Sequence, residues 1–343
     1  MTQSVPKRPR PAVSIRTIAR TTGVSLNTVS LALQGSGRVK SHTRERIVAA
    51  ARELGYQPNL LARAVITGRS QLLGVLIPGH DFSYMPRLLE AIQNEAVAAD
   101  YGLLILSYVR IGEGREIRHL LEYFLQRRVE GMMVLPPTPP LPAETWEPLR
   151  STPTVWLGVG GSRRIGTSLA LQPSEAGRIA AERLVAQGCR RLAYGGPAAD
   201  FFSQHRWEGV AKAAARLNAK RPLTWAVPDS VEGGAMAAEQ WLRLRPARRP
   251  QGFIGFTDAV AVGFLHRLLV KGCRIPDQVA VVGVDDTPLA AAAAVPLSTV
   301  RAPAELMGRL AVKALIGGEV SSRTRREAAS WEWVERSSTW KRP

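Results

Sequence analysis

VSIRTIARTTGVSLNTVSLALQ, residues 13–34, reads as two short helices joined by a tight turn, and the rest of the chain is arranged around it. Ser14 is placed to cap the first helix, Ile15, Ile18 and Ala19 give it one apolar stripe, and Gly23 supplies the left-handed residue that ends it. Val24 plugs the space between the helices. Ser25 is a second N-cap, and Val29, Ala32 and Leu33 form the inward stripe of the second helix. The pattern is a helix-turn-helix. Leu26, Asn27, Ser30, Leu31 and Gln34 are left on the outward face of the second helix, the side that in such motifs enters the major groove of DNA.

An ordinary helical hairpin carries similar caps and glycines, so the neighbouring sequence has to decide. A third helix begins at Ser41 or Thr43, presents Ile47, Ala50, Ala51 and Leu54 on one face, and ends at Gly55. Three short helices then share one small core. Residues 1–69 hold twelve Lys/Arg and two acids, which is ten of the chain's eighteen net positive charges. A phosphate-facing surface needs such an excess.

At 343 residues, 45% hydrophobic and 22% charged, the chain has room for a small domain plus one or two larger ones. No run of eighteen apolar residues is present and the first thirty lack a secretory apolar core, so the expectation is a cytoplasmic protein without a membrane partner. Cys189 and Cys273 each lie in a Gly-Cys-Arg context and are expected to be small core residues; two cysteines alone make no metal site.

The Pro- and Arg-rich segment 5–11 has prolines that forbid a helix, so residues 1–12 are expected to be a disordered basic tail, either solubilising or an auxiliary phosphate-binding arm. After the third helix, Pro58 blocks continuation and Asn59 caps a short helix over 60–67, closed by Gly68. Eight residues do not hold a helix in water, so this one needs a partner, a twin copy or a surface.

From Leu72 onward the pattern changes to apolar runs of strand length. Runs at 72–78, 103–106, 131–135 and 154–157, then at 191–194, 223–227, 252–256 and 279–284, read as strands. Helical segments fall near 86–99, 115–127, 174–187, 206–217, 233–244 and 258–271. Such alternation builds parallel sheets covered on both faces, here as two doubly wound subdomains. Segments 297–300 and 331–334 read as strands crossing back, with a ligand cleft between the lobes.

Over residues 13 to about 340 the chain resembles the lactose/galactose-repressor (LacI/GalR) family of transcriptional regulators. The matching pieces are Thr17-Ile18-Ala19 through Gly23-Val24-Ser25, Thr28-Val29-Ser30, Arg44-Glu45-Arg46-Ile47, Glu53 to Asn59, Ala62-Arg63 and Gly68-Arg69. In the core they are Arg128 to Gly131, Gly195-Gly196-Pro197, Arg206-Trp207-Glu208-Gly209, Asp258 to Gly263, Ile275 to Asp286 and Pro296 to Val300. The resemblance implies a homodimer on near-palindromic double-stranded operator DNA, with linker helices that pair and wedge side chains into the minor groove. The DNA-contacting set it implies is Ser14, Ser25, Leu26, Asn27, Thr28, Ser30, Leu31, Asn59, Ala62, Arg63 and Val65. Val65 stands where leucine is usual, which implies a shallower wedge. Leu31 stands where the family usually carries an arginine that reads guanine, so apolar contact to thymine methyls is expected there, with Asn27 pairing to adenine. The alternative for Leu26 and Leu31 is that they fill the domain's own core.

For the core, the resemblance implies a fold like periplasmic sugar-binding proteins and a small-molecule effector. Arg206 matches the arginine that clamps ligand hydroxyls or a carboxylate. Asp285 matches an aspartate that accepts from ligand hydroxyls, and Tyr84, with Phe82 beside it, matches an aromatic platform. Thr257 replaces a frequent asparagine, and Asp258 either joins the site or caps the next helix, the reading favoured here. The family's aromatic residue before the second-lobe helix is missing from Pro228-Asp229-Ser230, and its usual Asp-Asn is replaced by Leu171-Gln172. Sugar, sugar acid, a purine-like molecule or no effector remain open.

The expected class is therefore an N-terminal all-α helix-turn-helix domain plus an α/β core of two doubly wound, periplasmic-binding-protein-like subdomains. The expected divisions are the tail 1–12, the helix-turn-helix domain 13–58, the hinge-helix linker 59–69, and an effector-binding and dimerisation core 70–340. Within that core the subdomains take about 70–168 plus 299–326 and 169–298 plus 327–340. No enzyme is expected. Gly158-Val159-Gly160-Gly161 lacks the spacing of a dinucleotide turn, and the five histidines show no metal spacing, so no cofactor and no metal are assigned. The expected function is a repressor under effector control; the alternative is a cytoplasmic small-molecule-binding protein with a vestigial head.

Overall fold

The computed structural model describes residues 13–33, 37–56, 68–79, 84–108, 114–136, 141–158, 165–318 and 330–339. The basic tail, Gln34, most of the expected hinge helix with Asn59, Ala62, Arg63 and Val65, and Phe82 lie outside the described residues. The chain divides into two units, Met1–Ser70 and Gln71–Pro343.

In the first unit, α1 (Ile15–Thr22), α2 (Leu26–Leu33) and α3 (Ser41–Glu53) close around Ile18, Val29, Ala32, Val39, Ile47 and Ala51. Gly23 ends α1 at φ 68, a left-handed conformation that glycine adopts without a side-chain penalty, and its N–H reaches the Ala19 carbonyl. Ser25 caps α2 as expected, its hydroxyl accepting from Thr28 N at 3.1 Å. Ser14 does not cap α1 with its side chain: the hydroxyl lies 3.4 Å from Thr17 Oγ1, while its carbonyl takes the Thr17 and Ile18 N–H groups. Val39, buried in the turn before α3, has no helical period to announce it.

The second unit holds two lobes. The first lobe contains β1 (Leu72–Pro78), α4 (Met85–Ala98), β2 (Gly102–Tyr108), α5 (Gly114–Gln126), β3 (Gly131–Val134), a 3-10 turn (Ala143–Leu149), β4 (Thr154–Gly158) and β5 (Thr167–Ala170). The second contains α6 (Pro173–Ala186), β6 (Leu192–Gly196), α7 (Phe201–Arg216), β7 (Leu223–Ala226), α8 (Val231–Arg243), β8 (Gly252–Gly255), α9 (Asp258–Val270), β9 (Ala280–Val284), α10 (Pro288–Ala292) and β10 (Ser298–Arg301). The sheets run β2-β1-β3-β4-β5 and β11-β10-β9-β8-β6-β7, where β11 is Glu332–Val334. All described pairings are parallel except β10 with β11, so both lobes are wound in the same order. Every residue of β3 and β9 is buried, as befits central strands with helices on both faces.

The structure differs from expectation at the crossovers. The strand Thr167–Ala170, too short and mixed to stand out in sequence, completes the first sheet, so the chain leaves that lobe after residue 170 rather than 168. Likewise 298–301 pairs with β9, and the return falls after Arg301. The next helix, α11 (Ala304–Ile316), packs on α4 and on β3 and β4 of the first lobe. Gly308 makes that contact close, since a Cβ there would meet Ala91 Cβ at 2.8 Å. Cys189 is buried and its thiol is pushed up to about 12 by that burial, and Cys273 is half-buried at the rim of the second lobe's core.

Candidate functional site

Two places gather the residues the sequence singled out, one in each unit. On the head, Ser25, Leu26 and Asn27 are exposed at the start of α2, with Thr28 and Ser30 half-buried behind them. Leu26 keeps 42% of its surface open. Leu31 departs from the outward-face expectation: it is half-buried and packs against the head's core. One residue from Ala32 is about 100° around the helix, so Leu31 sits at the rim of the inward stripe. Arg16, Arg20, Arg38, Lys40, Arg46 and Arg52 are all exposed.

In the core, the second site is built at the carboxyl ends of parallel strands, where open α/β sheets bind ligands beside the point at which strand order reverses. In the second lobe that point lies between β6 and β8. Asp200 caps α7 by accepting from Ser203 N at 2.7 Å, which sets the helix phase that turns Arg206 inward. Gly209, one turn further, lets α7 cross α6 so closely that a Cβ would sit 1.9 Å from the Ser174 carbonyl oxygen. Arg206 is 5% exposed. Its guanidinium donates to the Phe256 carbonyl and, at 3.2 Å, to Asp285 Oδ1, and lies 4.7 Å from the Phe256 ring and 5.5 Å from the Trp331 ring. Its Nε is buried without a partner among the described residues.

Asp285 and Asp286 follow β9 with φ of 102° and 55°. Two successive left-handed residues are costly for anything but glycine, and here they turn adjacent carboxylates toward different neighbours. Asp285 meets Arg206; Asp286 meets Arg336 at 2.6 Å, Arg301 at 2.8 Å and, from the first lobe, Arg87 at 3.4 Å. Burial alone would raise the Asp286 carboxyl, but the hydrogen bonds from Arg336 and Arg301 hold it below the ordinary range. Tyr84, at the entrance to α4, is buried, and its phenol is raised by burial and by the charge of Asp285, partly offset by Arg206. That mutual influence brings the first lobe's tyrosine up to the second lobe's ion pair.

The cap expected of Asp258 falls to the residue before it. Thr257, not Asp258, occupies the N-cap of α9, and its hydroxyl donates to Asp229 Oδ1 at 2.5 Å. Asp258 is fully buried: Oδ1 accepts from Thr299 Oγ1 at 2.6 Å, and Oδ2 from Thr287 N at 2.7 Å and Thr287 Oγ1 at 3.0 Å. Burial pushes its carboxyl up to about 7 against those hydrogen bonds. Gly283 makes the room, since a Cβ there would meet Asp258 Oδ1 at 2.2 Å. Asp258 thus ties the loop after β9 to β10.

Sequence reading missed Phe256, Trp331 and Asp229. Trp331 reaches the site because the chain crosses back just before β11, where its indole donates to the Gln172 carbonyl at 3.1 Å; no local pattern encodes that. The set offers aromatic walls, an anchored guanidinium and carboxylates, which suits a small molecule rich in hydroxyls. Among the described residues no His/Cys/Asp/Glu cluster has the makings of a metal site.

Residues 14–59 match the family of bacterial regulatory proteins, lacI family, and residues 181–339 match the periplasmic binding protein-like domain. The chain is 30% identical over 334 residues to the HTH-type transcriptional regulator GntR of Pseudomonas aeruginosa, covering 95% of each. It is 28% identical over 315 residues to the ribose operon repressor of Escherichia coli, covering 88% of this chain and 92% of that one. In fold it is similar to the lac repressor dimer bound to operator and the anti-inducer ONPF, with TM-score 0.82 at 23% identity, covering 96% of this chain and 100% of that one. It is also similar to the regulator CelR in complex with cellobiose, with TM-score 0.65 at 24% identity, covering 96% and 100%.

Proposed function

The chain belongs to the LacI family of bacterial transcriptional regulators, and from that premise we propose that it represses transcription as a homodimer on a near-palindromic operator, released or tightened by a small molecule held in the core. Leu26 and Asn27 read base edges, and Ser14, Ser25, Thr28 and Ser30 contact the backbone or neighbouring bases. Leu31 contributes from the rim of that face. Asn59, Ala62, Arg63 and Val65 supply the paired hinge and its wedge. Phe82, Tyr84, Arg206, Thr257 and Asp285 form the effector site, with Asp258 as its support. The work is cytoplasmic, where the operator is; among the described residues no helix is long and apolar enough to cross a membrane.

The observation that carries this reading is the pairing, in one chain, of an exposed α2 face on a basic head with a buried Arg206–Asp285 pair under Tyr84. Selection of duplexes from a random library by the full-length protein tests it. The expected product is an inverted repeat whose affinity changes when a metabolite binds the core. Selection of no common sequence would leave the vestigial-head alternative standing instead. Sedimentation of the core alone as a monomer at micromolar concentration would overturn the dimer.

A further inference from the structure

We propose that Asp229 is a specificity-determining residue of this effector site, and that it restricts the effector to a polyol or aminopolyol bearing no negative charge. The inference rests on the effector reading above. Asp229 lies in the loop between β7 and α8, directly before the N-cap Ser230. Its Oδ1 accepts from Thr257 Oγ1 at 2.5 Å, and Thr257 follows Phe256, whose carbonyl anchors the Arg206 guanidinium. The carboxylate is therefore fixed one residue along from the arginine's own anchor, at the carboxyl ends of β7 and β8. The residue is exposed, and its Oδ2 has no hydrogen-bond partner among the described residues.

Arg206 does not balance this acid. Its charge is already matched by Asp285, and one of its nitrogens is given to a carbonyl; the polar atom left over is the buried Nε. The Asp229 carboxyl is raised first by burial of its carboxylate and then by the charges of Asp285 and Asp200, against the lowering effects of the Thr257 hydrogen bond and of Arg206. Of these three carboxylates only Asp285 is ion-paired with the guanidinium, so negative charge is in excess around Asp229 among the described residues. A ligand carboxylate or phosphate entering there adds a fourth negative group, and among the described residues no free cation is placed there to meet it. A hydroxyl oxygen accepts from Arg206 Nε without that penalty, and a hydroxyl or ammonium donates to Asp229 Oδ2.

Thermal shift and calorimetry on the full-length protein test this with matched sets: pentoses, hexoses and disaccharides, each beside its sugar acid, phosphate ester and amine. Glucose, glucosamine, gluconate and glucose 6-phosphate form one such set. The expected result is that every binder is uncharged or amine-bearing. In Asp229→Asn, whose amide oxygen keeps the Thr257 contact, the anionic partner of the best binder should gain about tenfold in relative affinity, as removal of one nearby like charge predicts. Binding of a sugar acid or phosphate by the unmodified protein as tightly as its uncharged partner overturns the charge rule, as does an unchanged ratio in Asp229→Asn. If no compound binds either the unmodified protein or Asp229→Asn, the effector reading itself falls, and this inference with it.

Discussion

The head and the core unit place charge in opposite ways. The head buries only apolar side chains, Ile18, Val29, Ala32, Val39, Ile47 and Ala51 among its described residues, and keeps its arginines and lysines outside. Among the described residues, the core buries the charged Arg206, Asp258, Asp285 and Asp286, all in the second lobe, while the buried polar residues of the first lobe are Thr145, Thr154 and Thr167. A polyanion as large as a duplex is met at the surface, where charge stays solvated and salt screens it. A small ligand is met inside, where each charge must be matched by a fixed partner before the ligand arrives. The second lobe thus bears the electrostatic demands of the site, and the first lobe brings an aromatic ring and Arg87 to it.

The largest expected effect comes from removing the buried cation. Arg206→Ala takes the guanidinium away from the buried Asp285 and should lower core stability by about 3–5 kcal/mol in denaturant unfolding, with loss of the effector response. Adding Asp285→Asn to Arg206→Met removes both charges and keeps a residue that tolerates the left-handed backbone. That double variant should recover most of the stability and none of the response. A head-binding assay on the same variants should show operator affinity within severalfold of the unmodified protein. A large loss of operator affinity in the stable double variant would erase the division of labour.

Asp258 gives the next effect. Its carboxyl is raised from an ordinary 3.8 to about 7, so between those values the folded protein holds a proton that the unfolded chain has released. Stability therefore falls as pH rises through that window, by up to about 4 kcal/mol. Asp258→Asn keeps the hydrogen-bonding shape and removes the titration. Its melting temperature should exceed that of the unmodified protein at pH 8 and match it near pH 4, the comparison being read by thermal melts across that range.

The smallest effect tests the head. Leu31→Arg should create a preference for G·C at one operator position of roughly 1–3 kcal/mol, measured by site selection on both proteins. Because Leu31 packs partly on the head's core, the variant should also lose some head stability, and a loss of stability without any new preference would mean that its side chain does not reach the groove.

How much could be read from sequence follows the same division. The head's helices, the left-handed Gly23 and the Ser25 cap rest on contacts within a few residues, and the 3.6-residue period carries them. In the core, strand runs and helix periods placed most elements, and Arg206 and Asp285 were found because motifs sit beside them. Trp331, Phe256 and Asp229 were not found: they meet Arg206 or Thr257 through chain reversals more than a score of residues long, and no local pattern records such a meeting. Asp258 was misjudged for a related reason. Its partners, Thr287 and Thr299, come from another loop and another strand, while the cap went to the residue before it.

The central claim is that the head's outward charge grips DNA while the core's inward charge grips a small ligand. Its most direct test is the salt dependence of operator binding by the intact protein, measured by fluorescence anisotropy between about 50 and 200 mM salt. The account predicts a steep negative slope of log affinity against log salt, several units for several phosphate contacts, alongside effector binding to the same protein that scarcely changes over that range. A slope near zero for the operator would contradict it.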